Sequence, residues 1–190
     1  RCTAIDVNPV ALTATKMTFA KSVKPELTAS GRVSLELMRG DLATALRCCA
    51  PSSSSAASSS AAAESSSGAQ PTTPPPSGPF DVVLFNPPYV PTSADELHDA
   101  CSTSKNNGHW LNCAWAGGPM GRTVVDRFLV ALPRLLSAGG GAAYVVALVE
   151  NDIPAMIEVV KAGSAGAIDG EIVAERYTGE HLRIIKFLRS

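Results

Sequence analysis

The sequence predicts an α/β fold built on an open, doubly wound, mostly parallel sheet that closes with an antiparallel hairpin. Three observations carry this. Apolar runs such as Phe80–Phe85 and Ala142–Val149 have the length and continuity of buried strands. Stretches of helical periodicity alternate with them. The last two runs, 168–177 and 182–188, follow each other across a turn at Thr178-Gly179, as a hairpin does.

The elements follow in order. Residues 2–5 read as the end of a strand closing on Asp6. Asn8-Pro9 reads as a helix start, with Asn8 as cap and Pro9 at the first helical position. Leu12, Thr15, Phe19 and Val23 recur at helical spacing, and Lys24-Pro25 breaks the helix. Val33–Met38 largely alternates apolar and polar, a half-exposed strand that ends at Gly40-Asp41. Residues 42–49 fit a short helix.

Residues 50–79 are Ser, Ala, Pro, Thr and Gly with hardly a charge, a composition that cannot bury enough surface to offset the entropy of ordering. They read as a disordered low-complexity insertion within one domain spanning 1–190, because the segment before them is too short to fold alone. Phe80–Phe85 then reads as a buried parallel strand, and Asn86-Pro87-Pro88-Tyr89 takes the chain out of the sheet. Residues 90–118 read as a long polar loop, of the kind that carries function. Met120–Leu136 is a helix that Pro133 kinks or ends early, and Gly139–Gly141 closes it. After the strand 142–149 comes a helix over 151–162, capped by Asn151 or Asp152, with Pro154 in its first turn.

Bulk properties narrow the function classes. A net charge of −1 gives no global basic field, which argues against nucleic acid as the direct substrate. No apolar run reaches the roughly 18 residues of a membrane span, and Arg1–Asp6 does not read as a signal peptide. Cys2, Cys48, Cys49, Cys101 and Cys113 are odd in number and lack framework spacing, as expected of reduced thiols. His98, Cys101, His109 and Cys113 match no standard zinc spacing, so no metal site is expected.

Three polar residues, Asp6, Asp41 and Asn86, fall at strand ends, where open α/β sheets bind ligands. Taken singly, each fits a turn or a cap as well as a site. Together they divide the work. A carboxylate after an early strand offers two acceptors to a pair of ribose hydroxyls, and a second suits an exocyclic amine. The Asn86 side-chain oxygen and the Pro87 carbonyl can each accept one hydrogen of a substrate NH2 group. That fixes the nitrogen and aims its lone pair, which an in-line methyl transfer needs more than it needs a base. Tyr89 can stack on a flat amide or base.

Asp81–Tyr89, ending in Asn86-Pro87-Pro88-Tyr89, resembles the Asn-Pro-Pro-Tyr motif of class I S-adenosylmethionine-dependent amino-methyltransferases. Ala114–Arg122 with Asp126-Arg127-Phe128, and Val90-Pro91-Thr92 after the motif, are similar to the eukaryotic and archaeal branch of the HemK-like glutamine methyltransferases of release factors. The resemblance covers nearly the whole chain apart from 50–79 and implies a Rossmann-like methyltransferase fold. It implies that Asp6 holds the ribose of S-adenosylmethionine and that Asp41 and Leu42 lie near its adenine. Asn86, Pro87, Pro88 and Tyr89 would be the catalytic loop, with Asn86 touching both the cofactor's methyl region and the substrate.

The implied substrate is the glutamine of the Gly-Gly-Gln loop of a class-1 translation release factor, methylated in the cytoplasm or also the nucleus. The implied partner is a small zinc-binding activator pairing with an edge strand near Val33–Met38. The family's first strand and glycine-rich cofactor loop lie upstream of the Asp6 position, before this sequence starts, so weak or absent cofactor binding is expected of this polypeptide alone. Two other readings compete: an adenine or protein-lysine methyltransferase, and a non-catalytic remnant that binds a partner.

Overall fold

The computed structural model describes residues 1–42, 78–107 and 112–190. They divide into two compact units, Arg1–Ser65 and Ser66–Ser190.

The first unit is a parallel strand pair with helices in its crossover. β1 (Cys2–Asp6) runs beside β2 (Leu35–Arg39), in register from Cys2 opposite Leu35 to Asp6 opposite Arg39. Between them lie α1 (Pro9–Ser22) and α2 (Pro25–Ala29). Asn8 caps α1 as its sequence requires: its backbone is extended, and its side-chain oxygen accepts from the Val10 N–H at 2.9 Å. Along α1, Leu12, Phe19 and Val23 are half-buried, while Thr15 is exposed. The break at Lys24-Pro25 is real. The chain nevertheless re-enters a helix there, because Pro25 sits at the first position of α2, where a missing N–H costs nothing. The second strand starts two residues later than its alternation predicts, since the Val33 N–H is drawn into a turn onto the Leu27 carbonyl. Residues 43–49 of the expected short helix, and 50–77 of the expected insertion, lie outside the described residues.

The second unit is a four-stranded sheet in the order β3 (Val82–Phe85), β4 (Ala142–Leu148), β6 (His181–Arg189), β5 (Ile168–Tyr177). β3 and β4 are parallel, and β6 returns antiparallel between β4 and its hairpin partner β5. Thus each unit carries one parallel ladder, and the antiparallel ladders belong to the terminal hairpin, as the sequence predicts. α4 (Thr123–Ala131) and α5 (Ile153–Gly163) cover the core with Val125, Phe128, Leu129, Met156 and Val160. Leu132, Leu136, Ile185 and Phe187 complete it, all without solvent access.

Several expectations are corrected here. β3 is not buried on both faces. It is the edge of its sheet, paired with β4 alone among the described residues, and its side chains alternate. Val83 and Phe85 turn inward, with the Phe85 ring 4.3 Å from that of Phe128, while Val82 and Leu84 are 60% and 76% exposed. Pro133, by contrast, ends α4 early as the sequence predicts, leaving a 3-10 turn over Leu132–Arg134. The helix expected from Met120 begins at Thr123, because Pro119–Gly121 forms a separate 3-10 turn in which Met120 has φ +56.

The long loop predicted over 90–118 contains a helix, α3 (Ala94–Asn107). Its start was legible as Ser93-Ala-Asp-Glu96, a capping box. The Ser93 hydroxyl accepts from the Glu96 N–H at 3.1 Å, and the Glu96 carboxylate accepts from the Ser93 N–H at 2.8 Å. The Ser93 backbone N–H, and after it the Ser93 side chain, hold the Glu96 carboxyl below its ordinary pKa by hydrogen bonding to the carboxylate. A carboxylate with a depressed folded pKa stabilises the fold above its unfolded pKa and loses that contribution as pH falls through the folded value. The first turn of α3 should therefore exchange its amide hydrogens faster in acid, after correction for intrinsic rates. Glu96→Gln should abolish that pH dependence; a wild-type first turn indifferent to pH would disprove the cap.

Candidate active site

The predicted site residues fall in both units. In the first, the parallel register brings Asp6 and Asp41 to the same, carboxyl, end of the strand pair. The Asp6 carboxylate accepts from the Asn8 N–H through Oδ1 at 2.7 Å, which fixes its orientation while Oδ2 makes no bond among the described residues. Gly40 donates to the Asp6 carbonyl at 3.1 Å and so sets where Asp41 leaves the sheet. Leu42 is half-buried with φ +47, an uncommon backbone state for a leucine. An acceptor-only carboxylate held in this way fits a ribose diol.

In the second unit, β3 ends at Phe85, and Asn86 leaves the sheet at the same end as the residues after β4. Asn86 is exposed, Pro87 buried, and Pro88 and Tyr89 half-buried. Among the described residues, neither the Asn86 side chain nor the Pro87 carbonyl takes part in a hydrogen bond. These are the two acceptors the chemistry calls for, and both are unspent. The residues after them are tied down. Val90 donates to the Trp115 carbonyl at 3.1 Å and accepts from the Gly117 N–H at 2.9 Å, a short parallel bridge to Ala116. Thr92 extends the contact, donating to the Gly118 carbonyl at 3.0 Å and accepting from the Gly118 N–H through its hydroxyl at 2.9 Å. The segment Ala114–Arg122, singled out by its resemblance, therefore lies directly along the Asn-Pro-Pro-Tyr loop.

Two glycines permit that contact. A Cβ on Gly117 would stand 2.6 Å from the Pro88 carbonyl oxygen, and one on Gly121, at φ +68, would overlap the Tyr89 carbonyl oxygen. At the C-terminal end of the same segment, Arg122 grips Asp126 through Nε and Nη2 at 2.9 and 2.8 Å, pinning the start of α4. The other polar candidates sit elsewhere. His98 and Cys101 are on α3, and Cys113 donates through Sγ to the Ala100 carbonyl at 3.3 Å. His109, Cys48 and Cys49 lie outside the described residues.

Of the two caps the sequence offers for α5, the structure selects one. Asp152, with φ +52, is the cap of α5 and accepts from the Ala155 N–H at 3.3 Å. Asn151 is not the cap of α5. It is buried and bonded to three other points of the chain, Leu148, Tyr89 and Met120. Its signal was the redundancy of two cap-type residues side by side, of which the helix can use one.

The second unit thus carries a strand ending in Asn-Pro-Pro-Tyr with two acceptors unbonded among the described residues, and the first carries carboxylates at the end of a parallel pair. Part of the chain is similar to proteins named as methyltransferases. It is 35% identical over 111 residues to Methyltransferase HEMK2 of Homo sapiens, covering 58% of this chain and 46% of that protein. It is 32% identical over 109 residues to the eRF1 methyltransferase catalytic subunit mtq2 of Schizosaccharomyces pombe, covering 57% and 43%. A Methanocaldococcus jannaschii protein named provisionally as a protein N5-glutamine methyltransferase is 48% identical over 64 residues, covering 34% and 28%. The chain thus spans less than half the length of these relatives. Among solved structures, the Mtq2–Trm112 complex of E. cuniculi, responsible for methylation of the eRF1 termination factor, aligns with TM-score 0.46 and 18% identity over 100% of this chain and 84% of that one. No protein-family profile matches the chain.

Proposed function

We propose that this chain carries the acceptor site of a protein-glutamine N-methyltransferase, acting on the Gly-Gly-Gln loop of a class-1 translation release factor in the cytoplasm. The observation that carries the reading is the pair of unspent acceptors, Asn86 Oδ1 and the Pro87 carbonyl, on a loop whose next residues are fixed by hydrogen bonds. Each accepts one N–H of the glutamine side-chain amide. The amide nitrogen is then held with its lone pair facing the methyl donor; the positive charge it gains on methylation is met by the same two oxygens until one N–H proton is lost to solvent, leaving the neutral N-methyl amide. Tyr89 covers the flat face of the amide.

S-adenosylmethionine supplies the activated methyl group when bound. In this chain Asp6 would hold its ribose through the oriented carboxylate, and Asp41 and Leu42 would lie beside its adenine. This reading takes both units as parts of one domain. The activator, a small zinc-binding protein, would pair with β2. That strand has β1 on one side and no strand on the other among the described residues, an edge that a partner strand can extend.

The direct test incubates the protein and the activator with labelled S-adenosylmethionine and a release factor, then maps the product by mass spectrometry. One added methyl on the glutamine of Gly-Gly-Gln is expected. Methyl found on lysine or on adenine, or none at all with the activator present, would overturn the reading.

A further inference from the structure

Asn151 is 1% exposed and closes the 3-10 turn Val149–Asn151, where its side chain caps the Leu148 N–H, and every hydrogen-bonding group of its amide but one lone pair is used. Its Oδ1 accepts from the Leu148 N–H at 2.7 Å, which ties it to the last residue of β4. Its Nδ2 donates to the Tyr89 carbonyl at 2.9 Å and to the Met120 carbonyl at 2.7 Å. The orientation of the amide is unambiguous: turned over, it would set a donor against an N–H and an acceptor against two carbonyls. One side chain thus joins the most buried strand of the sheet, the Asn-Pro-Pro-Tyr loop and the turn before α4.

The surroundings are shaped around it. Met120 adopts φ +56, which a non-glycine residue does at a cost, and its carbonyl is one of the two bonded to Asn151. Gly121, at φ +68, lets the Tyr89 carbonyl and Asn151 Nδ2 approach the backbone; a Cβ there would stand 2.5 Å from Nδ2. The tethered carbonyl, that of Tyr89, comes two residues after the free one, that of Pro87, and Pro88 between them leaves little backbone freedom.

We propose that Asn151 is the positioning residue of the acceptor loop: it fixes the Tyr89 carbonyl to the end of β4 and thereby holds Asn86 and the Pro87 carbonyl facing out of the sheet. The role rests on the glutamine-methyltransferase reading for its consequence in catalysis. The structural half of it stands apart from that reading. Asn151 does not touch substrate; it acts through Tyr89.

The test is Asn151→Asp in the full chain. The substitution keeps the volume and the acceptor for Leu148, removes both donations and sets a carboxylate against two carbonyls. Asn151→Ala serves if the aspartate variant fails to fold. Hydrogen exchange is read peptide by peptide. Exchange of the Val90, Thr92, Gly117 and Gly118 amides should rise tenfold or more, while β4 and β6 keep their protection. In the methylation assay kcat should fall tenfold or more, with KM for the release factor changed less than threefold, because docking of the large substrate does not depend on the loop's exact shape. Loop exchange unchanged, or rising equally in β4 and β6, overturns the proposal. So does loosened exchange with kcat unchanged. If the wild-type chain transfers no methyl, the functional reading has failed, and the exchange comparison alone decides whether Asn151 holds the loop.

Discussion

Replacing Asn86 with alanine is expected to lower the turnover of methyl transfer by about 10²–10³-fold, the usual loss when one preorganised partner of a developing charge is removed. The side chain is exposed and makes no hydrogen bond within the described protein, so its removal takes nothing from the fold. Thermal unfolding of Asn86→Ala should coincide with wild type. What disappears is one of two acceptors for the amide hydrogens. The glutamine nitrogen can then rotate about the remaining bond to the Pro87 carbonyl, and the fraction of time its lone pair spends in line with the methyl falls. On the proposed function, Asn86 aligns the amide and does not anchor the rest of the substrate, so the loss should appear in kcat and little in KM. Single-turnover kinetics with labelled cofactor measure it. A variant that keeps more than a tenth of wild-type turnover would remove Asn86 from the mechanism.

The contrast between Asn86 and Asn151 shows what the sequence makes legible. Asn86 stands in a short motif at the end of an apolar run, and motif and position together point to chemistry before any coordinates exist. The same holds for Asn8-Pro9, where cap and first-turn proline are adjacent and the helix follows as a local consequence. Asn151 has equally local surroundings but a non-local role. Two of its three partners lie 62 and 31 residues earlier in the chain, and no spacing rule carries that distance. Local rules gave Asn151 and Asp152 the same task, and only the fold assigns the two different ones.

The misjudged exposure of β3 has the same origin. Val82-Val83-Leu84-Phe85 is apolar on both faces, and a run like that says that both faces can be buried, not what buries them. In the second unit β3 is an edge, and only Val83 and Phe85 have the core beneath them. The missed helix α3 is a different error. Its capping box lay in plain sight at Ser93–Glu96, but a helix with little apolar periodicity does not announce itself by hydrophobic spacing.

A methyl group at position 121 should be among the most damaging small changes the second unit can take. Gly121→Ala forces an L-residue to hold φ +68, which costs about 1–2 kcal/mol, and places the new Cβ onto the Tyr89 carbonyl oxygen and 2.5 Å from Asn151 Nδ2. Neither group can retreat alone, because they are bonded to each other at 2.9 Å and Asn151 is anchored to Leu148. The overlap should add about 1–3 kcal/mol, as overpacking in a rigid site does. Gly166→Ala separates the two costs. Gly166 also has positive φ, at +80, but a Cβ there meets no atom within 4 Å, so it reports the backbone strain alone. Urea unfolding should therefore show Gly121→Ala less stable than Gly166→Ala by at least about 1 kcal/mol. The excess reflects how rigidly the protein holds the acceptor loop. If the two variants lose the same stability, the loop yields to the methyl group, and Asn151, Gly121 and Tyr89 do not form the fixed junction on which alignment of the substrate nitrogen depends.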